Sequence, residues 1–230
     1  AVPAGVYDEL YLTLYEKGNS GNIMYTTVKA GTGKPLTAGM IREFKIPITY
    51  EANAKLFVIN SVEKLQAFKA AIESEEGLAA DAIFTEDIDM AGVEWTPING
   101  TNYANAIIGN GYAIKNLTAP LFDTTSASIK GLHLEDVNIV SNGRATVGAL
   151  ACTITATETA LPVVEHCSVS GNITVNNEST TYTEDTPIGA AGLVADSYGV
   201  QYDGCVNHAN ITFTKAASAE TTATITLYGG

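Results

Sequence analysis

Basic charge is scarce in this chain, sulfur is sparse, and long apolar runs are missing. Of 230 residues, 12 are Lys or Arg and 25 are Asp or Glu, a formal charge of −13. That balance excludes the basic face with which a nucleic-acid binder displaces counterions. It also argues against docking on anionic lipid. Charged residues are 16% of the chain, below the roughly 25% of an ordinary soluble domain. No apolar stretch approaches the ~18 residues of a membrane span. No basic segment followed by an apolar one opens the chain, so no secretory leader is visible. The cysteines are three, Cys152, Cys167 and Cys205. An odd count without a C-x-x-C pair is not a disulfide framework and reads as small buried thiols. No H-E-x-x-H and no G-x-S-x-G occurs.

What is present is apolar material, 46% of residues, enough for a large core. The charge is unevenly spread. Residues 1–60 carry six basic and five acidic side chains, and residues 61–230 carry six basic and 20 acidic. The pattern changes at the same place. Leu10, Leu12 and Leu14 alternate with Tyr11, Thr13 and Tyr15, the period of a half-buried strand. Met24–Val28 and Phe44–Tyr50 are two further strand candidates, with Pro47 placing the latter at an edge. Glycine- and asparagine-rich turns separate them, and Gly31-Thr-Gly-Lys34 is such a turn rather than a phosphate loop. Residues 1–56 are therefore expected to be a small β-sheet domain or part of a β-sandwich. The spacing of Leu65, Phe68, Ala71 and Ile72 predicts a helix over 61–76, opened by Ser61 and ended by Gly77. Glu73, Glu75 and Glu76 near its C-terminus read as a solvated face.

From residue 57 the chain repeats. Blocks beginning at Gly131, His166 and Gly204 align without gaps over ten residues, at offsets of 35 and 38. The last two share Cys, Asn-Ile-Thr and a closing apolar residue. A second element recurs as Val147-Gly-Ala-Leu-Ala151 and Ala190-Ala-Gly-Leu-Val194. Short β-branched runs broken by Gly, Asn and Ser, with no helix to bridge parallel strands, predict like stacked on like: a parallel β-helix. In it Leu132, Cys167 and Cys205 form one inward ladder, Ile173 stacks with Ile211, Val175 with Phe213, and Asn172 lies over Asn210. The helix would cap an open end, covering sheet edges that invite aggregation.

Phe84-Thr-Glu-Asp-Ile-Asp-Met-Ala-Gly-Val-Glu-Trp-Thr-Pro-Ile98, followed by Ile108–Thr118, Pro120-Leu-Phe122, Ile129–Leu132 and Val147–Leu150, resembles in order the GLUG-type repeats. These occur in bacterial surface adhesins and in the non-catalytic region of the immunoglobulin A1 metallopeptidase family. The similarity covers about 57–213. Gly148-Ala149-Leu150-Ala151 and Ala191-Gly192-Leu193-Val194 depart from the usual Gly-Gly-Leu-x-Gly but keep small residues. Tyr7–Leu14 and Gly39–Ile46 more weakly resemble fimbrillin-like β-sandwich strands of Bacteroides-type bacteria. The resemblance implies the outer surface of a Gram-negative bacterium and a right-handed β-helix over 57–230. Ending at Ile225–Gly230, inside what reads as a strand, that β-helix is expected to be truncated at its C-terminus.

Chemistry-bearing residues are few. Asp87 and Asp89 project to one side of a strand roughly 7 Å apart, a spacing that suits a calcium ion or an acid–base pair. The alternative is that Ile88 faces the core and both carboxylates face water. Glu135-Asp136 and Glu184-Asp185 are adjacent pairs whose side chains diverge. His133, His166 and His208 fall in different columns of the repeat and do not converge on a metal. Cys167 neighbours His166, but strand neighbours point to opposite faces. The Asn-x-Ser/Thr sites at Asn99, Asn116, Asn172, Asn177 and Asn210 carry no meaning for glycosylation in a bacterial protein. Tyr103, Tyr182, Tyr198, Tyr202 and Tyr228 could stack on sugars if they lie on the surface. No residue is assigned as catalytic, cofactor-binding or metal-ligating. The expected function is non-enzymatic adhesion or display toward a glycan, matrix protein or partner subunit. Two alternatives are a β-helix polysaccharide lyase or hydrolase, and a stalk or non-catalytic module of a larger peptidase. The enzyme is disfavoured because an acidic sugar needs Arg or Lys, and Arg144 is the only arginine after residue 60.

Overall fold

A computed structural model describes residues 9–15, 23–29, 56–143, 146–177 and 189–215 of the chain, with side chains over 56–143, 146–176 and 189–214. The chain divides into two compact units, Ala1–Leu56 and Phe57–Gly230. In the first, Glu9–Tyr15 (β1) and Ile23–Lys29 (β2) pair antiparallel, with Leu12 opposite Thr26. Both strands fall where the alternation puts them. The third expected strand, Phe44–Tyr50, lies outside the described residues.

The second unit is mostly β. Its elements in order are Leu56–Ile59 (β3), the helix Val62–Ile72 (α1), Asp81–Phe84 (β4), Ile88–Asp89 (β5), Ile98–Gly100 (β6), Ile107–Ile108 (β7), Ala113–Lys115 (β8) and Phe122–Thr125 (β9). Then come Ile129–Lys130 (β10), His133–Asn142 (β11), Thr146–Gly148 (β12), Ala151–Thr155 (β13), Val163–Glu165 (β14) and Ser168–Asn177 (β15). Gly189–Ala191 (β16), Val194–Tyr198 (β17), Gln201–Asp203 (β18) and Val206–Lys215 (β19) complete the described chain. One sheet has the order β18-β14-β10-β7-β4-β3, a second β19-β15-β11-β8-β5, and a third β17-β13-β9-β6, with β12 and β16 as a separate pair. The chain thus visits the three sheets in turn, and β4 to β19 pair in parallel. Among the described residues no helix crosses over between these parallel strands. Glycines and asparagines with positive φ, such as Asn110, Gly111, Asn116 and Gly131, turn the described corners.

The side chains facing the interior form columns across strands. Ala82, Ile107, Ile129 and Val164 are register partners in the first sheet and are all buried. Ile88, Ile114, Leu134 and Val169 form the equivalent column in the second. Asn210 over Asn172, Ile211 over Ile173 and Phe213 over Val175 pair as the repeat predicts.

The first two blocks do not align as the sequence suggests. Leu134 pairs with Val169, but Val137 then pairs with Gly171, so one residue is inserted in β11. The insertion is a β-bulge at Asp136, whose φ is 52°. Its backbone N–H donates to Ser170 Oγ at 3.3 Å. Opposite it Gly171 has φ 117°, and a Cβ there would run into the Val137 backbone. The shift improves the stacking: Asn138 joins Asn172 and Asn210, and Ile139 joins Ile173 and Ile211. In the second repeated element Val147 pairs with Ala190 and Gly148 with Ala191. A Cβ on Gly148 would meet the backbone of Ala151, Leu193 and Ala195, so close backbone approach is why this element keeps small residues.

Helix α1 starts as expected, with Ser61 Oγ accepting from the Lys64 N–H at 3.2 Å. It ends at Ile72, earlier than the predicted 76. Ser74 Oγ donates to the Ala71 carbonyl, and a turn closes from Gly77 N–H to Ser74 O, with Gly77 at φ 66°. Leu65, Phe68 and Ile72 are buried, and Phe68 meets the Tyr103 ring edge-on at 5.6 Å. The polar side of α1 serves a sheet edge. Among the described residues strand β6 ends the third sheet. There the Asn99 N–H donates to Glu73 Oε1 at 2.9 Å, and Lys69 Nζ donates to the Pro97 carbonyl at 3.0 Å. Glu73, Glu75 and Glu76 are exposed as expected, and Glu73 in addition satisfies an edge strand. Backbone groups that would otherwise offer a pairing template are thereby occupied.

Candidate functional site

Asp87 and Asp89 flank Ile88, which is buried, and both are exposed. Each carboxylate is spent on holding strands. Asp87 accepts from the Ala113 N–H at 2.9 Å and pairs with Lys115 Nζ at 2.9 Å. Asp89 accepts from Asn116 Nδ2 at 2.7 Å and from the Ala91 N–H at 2.9 Å. The Lys115 hydrogen bond lowers the pKa of Asp87, with the Ala113 N–H adding to it. The Asn116 amide lowers that of Asp89, and the Ala91 N–H adds to it. Lys115 is raised by the hydrogen bond to Asp87, and it reaches Glu135 on the next strand at 3.5 Å. The result is a charge ladder across β5, β8 and β11. Both aspartates are held ionised, which suits cross-strand bonding and not proton donation near neutral pH. Glu135 joins this ladder, while Asp136 forms the bulge. Glu184, Asp185, Arg144, Tyr182 and Tyr228 lie outside the described residues.

The histidines are placed apart. His133 Nδ1 lies 2.8 Å from Ser168 Oγ on the neighbouring strand. His208 pairs in register with Ser170. His166 occupies a corner at φ 51°, its ring over Gly204, with Nδ1 3.4 Å from Glu165 Oε1. It therefore leans toward the corner that carries Cys205, a relation that neighbouring positions along one strand do not reveal.

Tyr103, one of the five tyrosines considered for sugar stacking, is buried instead. Its hydroxyl donates to the Ala80 carbonyl at 2.9 Å, and burial pushes its pKa far up. Trp95 of the resemblance motif is likewise structural, its indole N–H donating to the Pro120 carbonyl at 3.0 Å.

Sequence reasoning missed a cleft of about 630 Å³ where β17, β18 and β19 meet, within the volume range of small-ligand sites. The columns explain it. Tyr202 stands in register with buried Val164, Asn207 with buried Val169, and Ser197 with buried Ile154. At these three interior positions an aliphatic side chain gives way to a polar one. Asp196, Asp203 and Cys205 complete the polar lining, and Leu193 and Val194 supply apolar wall. Tyr202 is 43% exposed. Its pKa is raised by burial, partly offset by a hydrogen bond with Ser197. The signal was present in the sequence but needed the register of three-residue strands, too short to show a period of their own.

The thiols of the inward ladder also end at this cleft. Leu132 and Cys167 are fully buried, and Cys205 is only partly so. Cys167 Sγ donates to the Ile129 carbonyl at 3.5 Å, and Cys205 Sγ repeats that bond one strand on, to Val164 at 3.3 Å. The two thiols also act on each other's titration. The neighbouring Cys167 holds the Cys205 thiol below its ordinary value, and Cys205 together with burial pushes Cys167 well above it.

The family described as the M26 IgA1-specific metallo-endopeptidase N-terminal region matches residues 96–171. The matched stretch runs from just before β6 into β15. No curated protein and no solved structure matches the chain.

Proposed function

We propose that residues 57–215 form a right-handed parallel β-helix capped by α1, and that this β-helix is a non-catalytic display module of a bacterial surface protein. It presents its corners and its terminal cleft to a glycan or protein partner on the outside of a Gram-negative cell. The observation that carries this reading is the match of residues 96–171 to the N-terminal region of a metallo-endopeptidase family. It falls on strands that visit three parallel sheets in turn. The paired carboxylates also support it, because Asp87 and Asp89 are engaged in cross-strand bonds. The lyase alternative needs free cations beside an acidic sugar. Among the described residues lining the cleft none is Lys or Arg, which disfavours it.

The terminal cleft is where a glycan would bind. Exposed Tyr202 offers a ring face, with Asn207, Ser197 and Asp196 as polar neighbours, the combination that suits a stacked sugar. The test compares cells displaying the intact surface protein with cells displaying it without residues 57–215. Adherence to immobilised host glycans and matrix proteins is scored. Loss of adherence on deletion, and its reduction by Tyr202→Ala, is the expected result. Undiminished adherence of the deletion overturns the reading.

A further inference from the structure

The two thiols at the end of the inward ladder form a unit whose chemistry does not depend on what the cleft binds. Glu165 pairs with Asp203 and Ser168 with Val206. Cys167 and Cys205 therefore occupy the same position on neighbouring parallel rungs. Such rungs lie about 4.8 Å apart, within the Cα separation of about 4.4–6.8 Å that a disulfide spans. Their sulfurs point the same way, each toward a carbonyl of the preceding strand, Ile129 and Val164, which are themselves register partners. Access to the two is unequal. Cys205 lines the cleft, while Cys167 is fully buried behind it. A reagent entering the cleft meets Cys205 first and reaches Cys167 only through it. This is the arrangement of an attacking thiol with a resolving thiol.

We propose that Cys205 and Cys167 form a thiol-exchange site that takes a small disulfide in the terminal cleft. The Cys205 thiol gives up its proton, and its sulfur attacks one sulfur of the disulfide. The sulfur–sulfur bond of the reagent breaks, one half leaves as a thiol carrying that proton, and the other half stays on Cys205 as a mixed disulfide. The Cys167 sulfur then attacks Cys205 Sγ, and the second half leaves with the Cys167 proton. Two protein thiols are oxidised to one Cys167–Cys205 disulfide, and one small disulfide is reduced to two thiols. The Cys205 thiol is suited to the first step, because it lines the cleft, its neighbour Cys167 favours the thiolate, and the His166 ring lies over the adjacent Gly204. Closure would tie the rungs carrying β15 and β19 together beside the cleft.

The test treats the full chain with oxidised glutathione and reads intact mass and peptide linkage without reduction. The parent is expected to lose two hydrogens, retain no glutathione and yield a Cys167–Cys205 linked peptide. Cys167→Ser is expected to retain one glutathionyl group, on Cys205. Cys205→Ser should react at least about tenfold more slowly, and Cys152→Ser should behave as the parent. Cys167→Ala serves where circular dichroism shows that the serine variant fails to fold. Three results would overturn the proposal: equal reaction of Cys205→Ser and parent, lasting glutathionylation of the parent without the linked peptide, or an unmodified parent when a free cysteine peptide in the same tube is consumed.

Discussion

Replacing Gly171 by Ala probes the register that organises the whole second unit. Gly171 lies opposite the Asp136 bulge with φ 117°, a backbone conformation that a side chain strains by about 1–3 kcal/mol. Space adds a second term. The new methyl group would overlap the Val137 backbone N and O and the Asp136 carbonyl carbon. Backbone atoms of a paired strand cannot swing aside as a flexible side chain can, so overpacking adds about 1–3 kcal/mol. The expected destabilisation is about 4 kcal/mol. For a unit of this size that is a fall in Tm of about 8–16 °C. Gly77→Ala is the matched control. Gly77 also has a positive φ, 66°, but nothing lies within 4 Å of its missing Cβ, so only strain of about 1–2 kcal/mol is expected. Thermal and urea unfolding of the three chains, followed by far-ultraviolet circular dichroism, separate the two terms. If Gly171→Ala is no less stable than Gly77→Ala, the bulge and the stacking it restores are wrong.

Other expectations follow from single contacts. Ile173→Asp puts an unpaired charge into a column where Ile173 is fully buried, and it should abolish cooperative unfolding; a cooperative melt at the parent temperature would contradict the register. Glu73→Ala removes the acceptor for the Asn99 N–H and the partner of Lys69. A loss of about 1 kcal/mol is expected, with faster hydrogen exchange at Asn99, and unchanged exchange there would refute the edge-covering role. The hydrogen bond from Lys130 holds the Glu165 carboxyl below the usual carboxylate range, against an opposing effect of burial. A depressed folded value gives stability that is full above the unfolded value and is lost as pH falls through the folded one. Lys130→Met should therefore lower Tm at neutral pH and flatten its fall between about pH 5 and about pH 3; a slope as steep as the parent's would remove Lys130 from the account.

Repetition was the most legible part of this chain. Asn-Ile-Thr recurs with identical spacing, so the stacking of Asn172 on Asn210 and Ile173 on Ile211 could be read directly. The bulge could not be read, because the first block still aligns without a gap and Asp136 gives no sign of a left-handed backbone. Only the cross-strand partner, Gly171, marks it. The exposure of Glu73 was legible, but its second role was not. Its acidic position near a helix C-terminus is locally unfavourable, and what outweighs this is an N–H at Asn99, distant in sequence and brought near by folding. Tyr103 looks like a loop aromatic until the Ala80 carbonyl and the Phe68 ring are in place around it. The cleft was hidden by strand length. Val164 and Tyr202 share a column, yet β14 and β18 are three residues each, and no periodicity can be drawn from so few.

In the proposed function this module binds and displays rather than transforms. The most direct measurement incubates the purified chain with a panel of host and plant glycans and matrix proteins, and scores binding and product formation in the same wells. Binding without products, weakened by Tyr202→Ala, is the expected result. Formation of shortened or unsaturated products from any glycan would contradict it and return Asp87 and Asp89 to consideration as an acid–base pair.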